Sequence, residues 1–431
     1  MKWIKERSIG SLLALLALAV GLVYVNSLPN GFVWDDEEQI VSNVQIQRGG
    51  LFENLGEGTF YGGGSERLSG WFWRPAVVFL YSFLYKIFGL QVWGYHLFGV
   101  LLHIGAVGLG FLVLSKLWKR EWAFLAALIL GVHPLGVEAE GYVAALGDVV
   151  VLLGVMLSLW ALLRRESYKA GDWFLMGGGL LLALLAKESA VVGLMVVVLA
   201  GWLWRREKIN TLIGVVGLVV VLYLSMRVVV GVRIGGAGES LIGEAGLGER
   251  MLSVFSIWMH YIKSFVFPLK LSISEHWVVR EWSDVRFWGN GLVLAGLGGA
   301  VFWWARKGKR LVFFAGWMMV GFLLVSQIIP LEMTVADRWM YLPMWGMMGV
   351  AGEVGAGIVK GKKTKRVIWW VGVFLAVVFG VRSWVRLGDW RSGLDLYSQD
   401  VKLSRESFEL HNNLGVELVR EGRLDEAEES F

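Results

Sequence analysis

The chain has no cysteine, six prolines and six histidines among its 431 residues, and only 18% of it is charged. Without cysteine there is no disulfide framework, no thiolate nucleophile and no zinc ribbon. So little proline, with 57 glycines in no collagen-like period, excludes a fibrous chain or a proline-rich linker. So few charges leave too little polar side chain to clothe two or three soluble domains. What fills the space is apolar: hydrophobic residues make up 56%, and mean hydropathy is +0.59. That much apolar surface calls for a bilayer. The net charge of +5 does not point to nucleic acid, because Lys and Arg fall in short clusters between apolar runs. Many of the 24 tryptophans lie at the ends of those runs, where interfacial aromatic belts form.

Crossing a bilayer core takes about 20 apolar residues in a helix. Eleven runs qualify as spans: 9–28, 92–115, 122–140, 148–163, 173–186, 189–204, 211–230, 286–305, 311–329, 341–359 and 367–384. Several are short, and His133-Pro134 interrupts the third. The first follows a basic Met1–Arg7 stretch with no small-residue cleavage site after it, which reads as an uncleaved anchor. Five basic loops (Lys116/Lys119/Arg120, Arg164/Arg165/Lys169, Arg205/Arg206/Lys208, Arg306/Lys307/Lys309/Arg310 and Lys360–Arg366) share one side with the N-terminus. The positive-inside rule makes that side cytoplasmic and places the C-terminus outside. The expected class is an all-α, multi-pass membrane protein in contact with the lipid bilayer.

The outer face carries loops 29–91 and 231–285 and short connections at 133–148, 187–188 and 330–340. Residues 75–90 and 251–267 have mixed aromatic and polar faces, as interfacial helices do. Most of the acids and histidines that are not simple flanks lie on this face. Residues 404–431 form a separate unit, in which Leu414, Gly415, Leu418, Ala427 and Phe431 occupy tetratricopeptide packing positions. One partial repeat cannot bury its own apolar face, so the chain is expected either to be cut short there or to pack this tail on the membrane domain, 1–403.

Five clusters carry candidate chemistry. Trp34-Asp35-Asp36-Glu37-Glu38 places four acids just beyond the first span. Neighbouring carboxylates raise each other's proton affinity, which suits a general base; a solvated loop with a helix cap fits the spacing equally well. Trp73-Arg74-Pro75 starts an interfacial helix, and His96 and His103 share one helical face. A hydrogen bond to a neighbouring span is the ordinary fate of such a histidine. His133-Pro134, Glu138, Glu140 and Asp148 surround the broken span, where irregular backbone must line a cavity or protein rather than lipid. Lys187-Glu188 sits in a tight outer connection, as a hairpin ion pair or a ligand contact. Asp337-Arg338 offers a planar guanidinium suited to phosphate, or a local salt bridge. The acidic loop could also hold a divalent metal through oxygen ligands.

The ordered set Asn30-Gly-Phe-Val-Trp-Asp35-Asp36, Trp73-Arg74-Pro75, Gly94-Tyr95-His96 with Leu102-His103, His133-Pro134 with Glu138, Ala186-Lys187-Glu188 and Ala336-Asp337-Arg338 through Leu342-Pro343 resembles the TMTC family and its prokaryotic relatives. These are transmembrane O-mannosyltransferases with C-terminal tetratricopeptide repeats. The resemblance covers nearly the whole chain. It implies a GT-C fold that takes sugar from a polyprenyl-phosphate carrier, with Asp35 and Asp36 matching an external-loop Asp near the acceptor hydroxyl. It also implies a protein acceptor at Ser or Thr, with inversion at the sugar, and a partner surface on the repeat. Arg74, His96, His103, His133, Glu138, Asp148, Lys187, Glu188, Asp337 and Arg338 are the expected substrate contacts. Where the family carries an Arg two residues before the acid matching Asp148, this chain has Leu146, so that Arg's role does not carry over. Glycosylation of a lipid or glycan, and an inactive membrane-anchored repeat scaffold, remain the alternatives.

Overall fold

The computed structural model describes residues 4, 6–60, 72–231, 240–306, 308–359, 361–405 and 407–431. The basic residues among positions 1–3 and 5, together with Lys307 and Lys360, lie outside them. Among the described residues the secondary structure is helical, apart from an isolated bridge between Glu275 and Val335.

A helix stands at each of the eleven apolar runs. They are α1 (Ile9–Tyr24), α3 (Val92–Leu117), α4 (Arg120–Gly131), α6 (Leu146–Leu163), α7 (Ala170–Ala186), α8 (Val191–Trp204), α9 (Ile209–Val230), α11 (Val285–Ala305), α12 (Lys309–Leu324), α13 (Pro343–Ile358) and α14 (Lys362–Asp389). Among the described residues, six continuous helical stretches are long and apolar enough to cross a membrane, and a seventh if α4 and its bent continuation count as one. The other helices of the set are shorter. Fourteen residues, as in α8, cover about 21 Å at 1.5 Å each, less than a hydrocarbon core of about 30 Å. Of these short helices, α8 sits against α6 and α12 with more than half of its residues buried, whereas the longer α11 has no buried residue.

Both expected interfacial helices are present, as α2 (Pro75–Phe88) and α10 (Leu247–Val266). Proline suits the first turn of α2 because the donor it lacks would be unpaired there anyway. The indole of Trp73 donates to the carbonyl of Leu55 (2.8 Å) and the hydroxyl of Tyr81 to that of Val143 (3.2 Å), fixing α2 on the bundle.

The third run breaks where the proline predicts. After α4 the chain turns by 54° into the short segment Pro134–Gly141, whose last part is α5 (Val137–Gly141). A break frees backbone groups that lipid cannot satisfy. Here His103 Nε2 meets the Gly131 carbonyl (2.9 Å) and the Ser383 hydroxyl donates to the Val132 carbonyl (2.9 Å). His133 accepts from the Leu135 amide at Nδ1 (3.2 Å) and, through Nε2, reaches the Phe265 carbonyl (3.0 Å).

After α14 come α15 (Gly393–Leu403) and, within the expected tail 404–431, α16 (Phe408–Arg420) and α17 (Leu424–Ser430). Gly422, at φ +76°, makes the left-handed turn between the last two. α15 and α16 contact α14 and residues 272–276. Asp400 is fully buried; it accepts from Arg386 (2.7 and 3.1 Å) and from the Ile273 amide (2.8 Å). Glu409 accepts from Ser274 (2.9 Å) and meets His276 (2.8 Å). Charged hydrogen bonds of this kind contribute about 1.5–3 kcal/mol each. Asp400→Ala is therefore expected to expose the tail to limited proteolysis before the bundle; equal protection in both proteins would show that Asp400 is not the clamp.

Candidate active site

Loops at one end of the bundle converge on one cavity of about 320 Å³. Six expected residues line it: Asp35, Arg74, Asp148, Lys187, Glu188 and Arg338. They come from separate parts of the chain, brought together because each outer connection opens on the same end of the bundle. Sequence reading passed over Tyr142, Arg227 and Glu332, which also line it. Arg227 had a signal: a lone cation in the last turn of an apolar helix is a functional candidate by default. Glu332 lies in an outer connection already marked as working surface, whereas Tyr142 had no local cue.

The cations are paired. Lys187 Nζ lies 2.6 Å from Asp148 Oδ2, and Arg74 Nε 3.2 Å from Glu188 Oε2. Arg227 is 3.6 Å from the other oxygen of Glu188. Glu138, buried behind the wall, accepts from both the backbone amide (2.8 Å) and the guanidinium of Arg338. That guanidinium stands over the Trp34 ring, 5.1 Å from its centroid. Burial lowers the proton affinity of Lys187, with Asp148 opposing. For Arg74 burial also acts to lower it, but Glu188, Glu332 and Asp148 together raise it above the ordinary value. Burial would raise Glu188, yet Arg74 and Arg227 hold it below the usual carboxylate range.

Asp35 and Asp36 part company. Asp36 is fully buried and turned to backbone, accepting from the amides of Val33 (3.1 Å) and Ala144 (2.6 Å). It ties the first outer loop to the connection after the broken span. Burial raises its carboxyl, while the hydrogen bonds from Val33 and Ala144 oppose that and favour the charged form. Asp35 is half-buried and reaches the cavity. Burial raises it to about 6, while the Arg338 charge favours its ionised form.

The remaining expected residues lie off the cavity wall. His103 and His133 serve the helix break, and His103 Nδ1 also meets the Tyr341 hydroxyl. His96 is buried in α3. Asp337 is buried behind Arg338, where burial and then Glu138 push its carboxyl well above the usual range. Leu146 packs against Gly99, whose absent Cβ would lie 2.9 Å from it. Among the described residues no three His, Asp or Glu side chains are grouped to hold a metal ion.

No protein-family model matches the chain. Curated relatives do. A protein O-mannosyl-transferase of Caenorhabditis elegans is 22% identical over 99% of this chain and 62% of its own length. The protein O-mannosyl-transferase TMTC4 of Homo sapiens is 25% identical over 94% of this chain and 64% of its own. The protein O-mannosyl-transferase Tmtc2 of Drosophila melanogaster is 33% identical over 41% and 20%. The chain thus spans less than two thirds of these relatives. Among solved structures, ArnT from Cupriavidus metallidurans bound to undecaprenyl phosphate matches 98% of this chain and 74% of that one, at 14% identity and a TM-score of 0.47. The homologues of this chain are TMTC-family protein O-mannosyl-transferases, along nearly its whole length.

Proposed function

Given those homologues, we propose that the chain is an inverting membrane glycosyltransferase. It moves a sugar, mannose by the names of its relatives, from a polyprenyl-phosphate carrier to a Ser or Thr hydroxyl of a protein on the extracytoplasmic side. The observation that carries this reading is one cavity holding a half-buried carboxylate, Asp35, opposite Arg338, Arg74 and Lys187. A hydroxyl is a poor nucleophile near neutral pH, so a positioned base must take its proton as attack proceeds. The acceptor oxygen bonds to the anomeric carbon, Asp35 takes the proton, and the bond from that carbon to the carrier phosphate breaks. Its electron pair stays on the phosphate oxygen, where preorganised cations stabilise the added charge. The carbon passes through oxocarbenium character. Asp36, held by two amides, keeps the loop in place and stays out of the reaction. The tail, with helices at the repeat positions, presents the acceptor or binds a partner.

The test is transfer by purified protein in lipid, from labelled polyprenyl-phosphate-mannose to Ser/Thr-rich peptides, with and without magnesium or manganese. Label on peptide supports the reading. Intact donor in every tube, with other polyprenyl-phosphate sugars tried as well, overturns it.

The base must be ionised to act, and burial places Asp35 at about 6. Activity should therefore be absent at acid pH, rise through about pH 6 and level off above it, giving an acid limb in kcat/KM. A profile flat from pH 4.5 to 7.5 would exclude Asp35 as the base.

A further inference from the structure

Asp35 sits next to a run of stacked rings that leads away from the cavity. Trp34, with φ at +55°, stacks on Tyr142 (centroids 5.2 Å apart, planes at 19°). Tyr142 in turn stacks on Trp390 (5.5 Å, 27°), and the Arg386 guanidinium lies 5.9 Å from the Trp390 ring. Trp390 is fully buried, and its indole N–H has no hydrogen-bond partner. Its place is set by packing. Gly141 makes room for it, since a Cβ there would stand 3.2 Å from both Trp390 and Leu387. The same corner holds the first outer loop directly: Asn30 donates to the Leu387 carbonyl (2.9 Å) and the Gly31 amide to the Arg391 carbonyl (3.0 Å). Arg386 is itself fixed by Asp400 of α15.

We propose that Trp390 and Arg386, at the end of α14, are positioning residues that set Asp35 in the cavity through Tyr142 and Trp34. Neither lines the cavity. A non-glycine residue at positive φ, as at Trp34, persists only where its surroundings over-determine it. The stack supplies that constraint from one side and Arg338 from the other. Helix α15 is then the last support of the reacting carboxylate, through Asp400 and Arg386, as well as the root of an arm. This inference rests on Asp35 being the base.

The experiment uses the full chain in lipid vesicles and two readouts. One is the initial rate of transfer from labelled polyprenyl-phosphate-mannose across pH 4.5–8.5. The other is the infrared carboxyl band that Asp35→Asn removes, titrated without turnover. Tyr142→Phe keeps the stacked ring and should leave both midpoints close to the parent. Trp390→Ala frees Tyr142 and Trp34 to tilt and lets Asp35 drift from the Arg338 charge that favours its ionised form, so both midpoints should move up. It should also lower kcat about tenfold while the donor KM stays within about twofold, the pattern of a lost transition-state interaction. Trp390→Phe restores a stacking ring and should return both readouts toward the parent. Asp400→Asn should shift the midpoint in the same direction by less. A Trp390→Ala protein whose rate falls equally at every pH, with the infrared midpoint unmoved, overturns the proposal. If Trp390→Ala does not fold, Trp390→Leu decides it on the same criterion. A parent protein that transfers nothing refutes the proposed function, while its infrared midpoints still show whether Trp390 positions Asp35.

Discussion

Asp35→Asn is expected to lower kcat by about 10²–10⁴-fold, the usual contribution of a positioned general base, with donor KM and thermal stability close to the parent. Asn fills the same volume at the cavity wall and cannot take a proton from the acceptor. Asp36→Asn should behave in the opposite way. One of its oxygens would become an NH₂ facing a backbone N–H, either that of Val33 or that of Ala144. A buried donor left without an acceptor costs about 1–3 kcal/mol, so the midpoint of thermal unfolding falls while residual folded protein still transfers. Measuring both variants for rate and for unfolding separates the two adjacent acids. A fully active Asp35→Asn protein would remove the base from the mechanism.

Glu138→Ala should be the most destabilising single change at the site, by about 3–5 kcal/mol, because it leaves the Arg338 charge buried without its counter-ion. The double variant Glu138→Met, Arg338→Met removes the charge with its partner and should recover much of that stability. It should recover no transfer, since the cation facing the leaving phosphate is gone. Thermal unfolding in detergent reads the first outcome and label on peptide the second. Recovery of both would show that Arg338 serves the fold alone.

The helices were legible in the sequence because an apolar run has one stable form in lipid, a helix that satisfies its own backbone. Every run from 9–28 to 367–384 has its helix. Their lengths were less legible: α8 and α12 read as spans on hydropathy, yet they end after 14 and 16 residues, a matter settled by what they pack against. The cavity was legible in outline, since acids and cations on one side of the membrane have few places to meet. Roles within it were not. Nothing local tells Asp35 from Asp36, because the difference is the approach of the Ala144 amide from 108 residues away. His103 and His133 look like site residues for the reason that they are polar near a break, and the break itself consumes them. Tyr142 and Trp390 carry no motif; they meet in a stack that exists only after α14 has closed on α5.

The pairing of charges around the cavity also bears on turnover. Four cations line it (Arg74, Lys187, Arg227 and Arg338), and so do four carboxylates (Asp35, Asp148, Glu188 and Glu332). Under the proposed function, an anionic headgroup entering the cavity would displace counter-ions the protein already owns, and on its departure those carboxylates would close back on their partners. Departure would then uncover no bare cluster of positive charge, and a spent carrier would diffuse away into the lipid instead of remaining as a tightly held inhibitor.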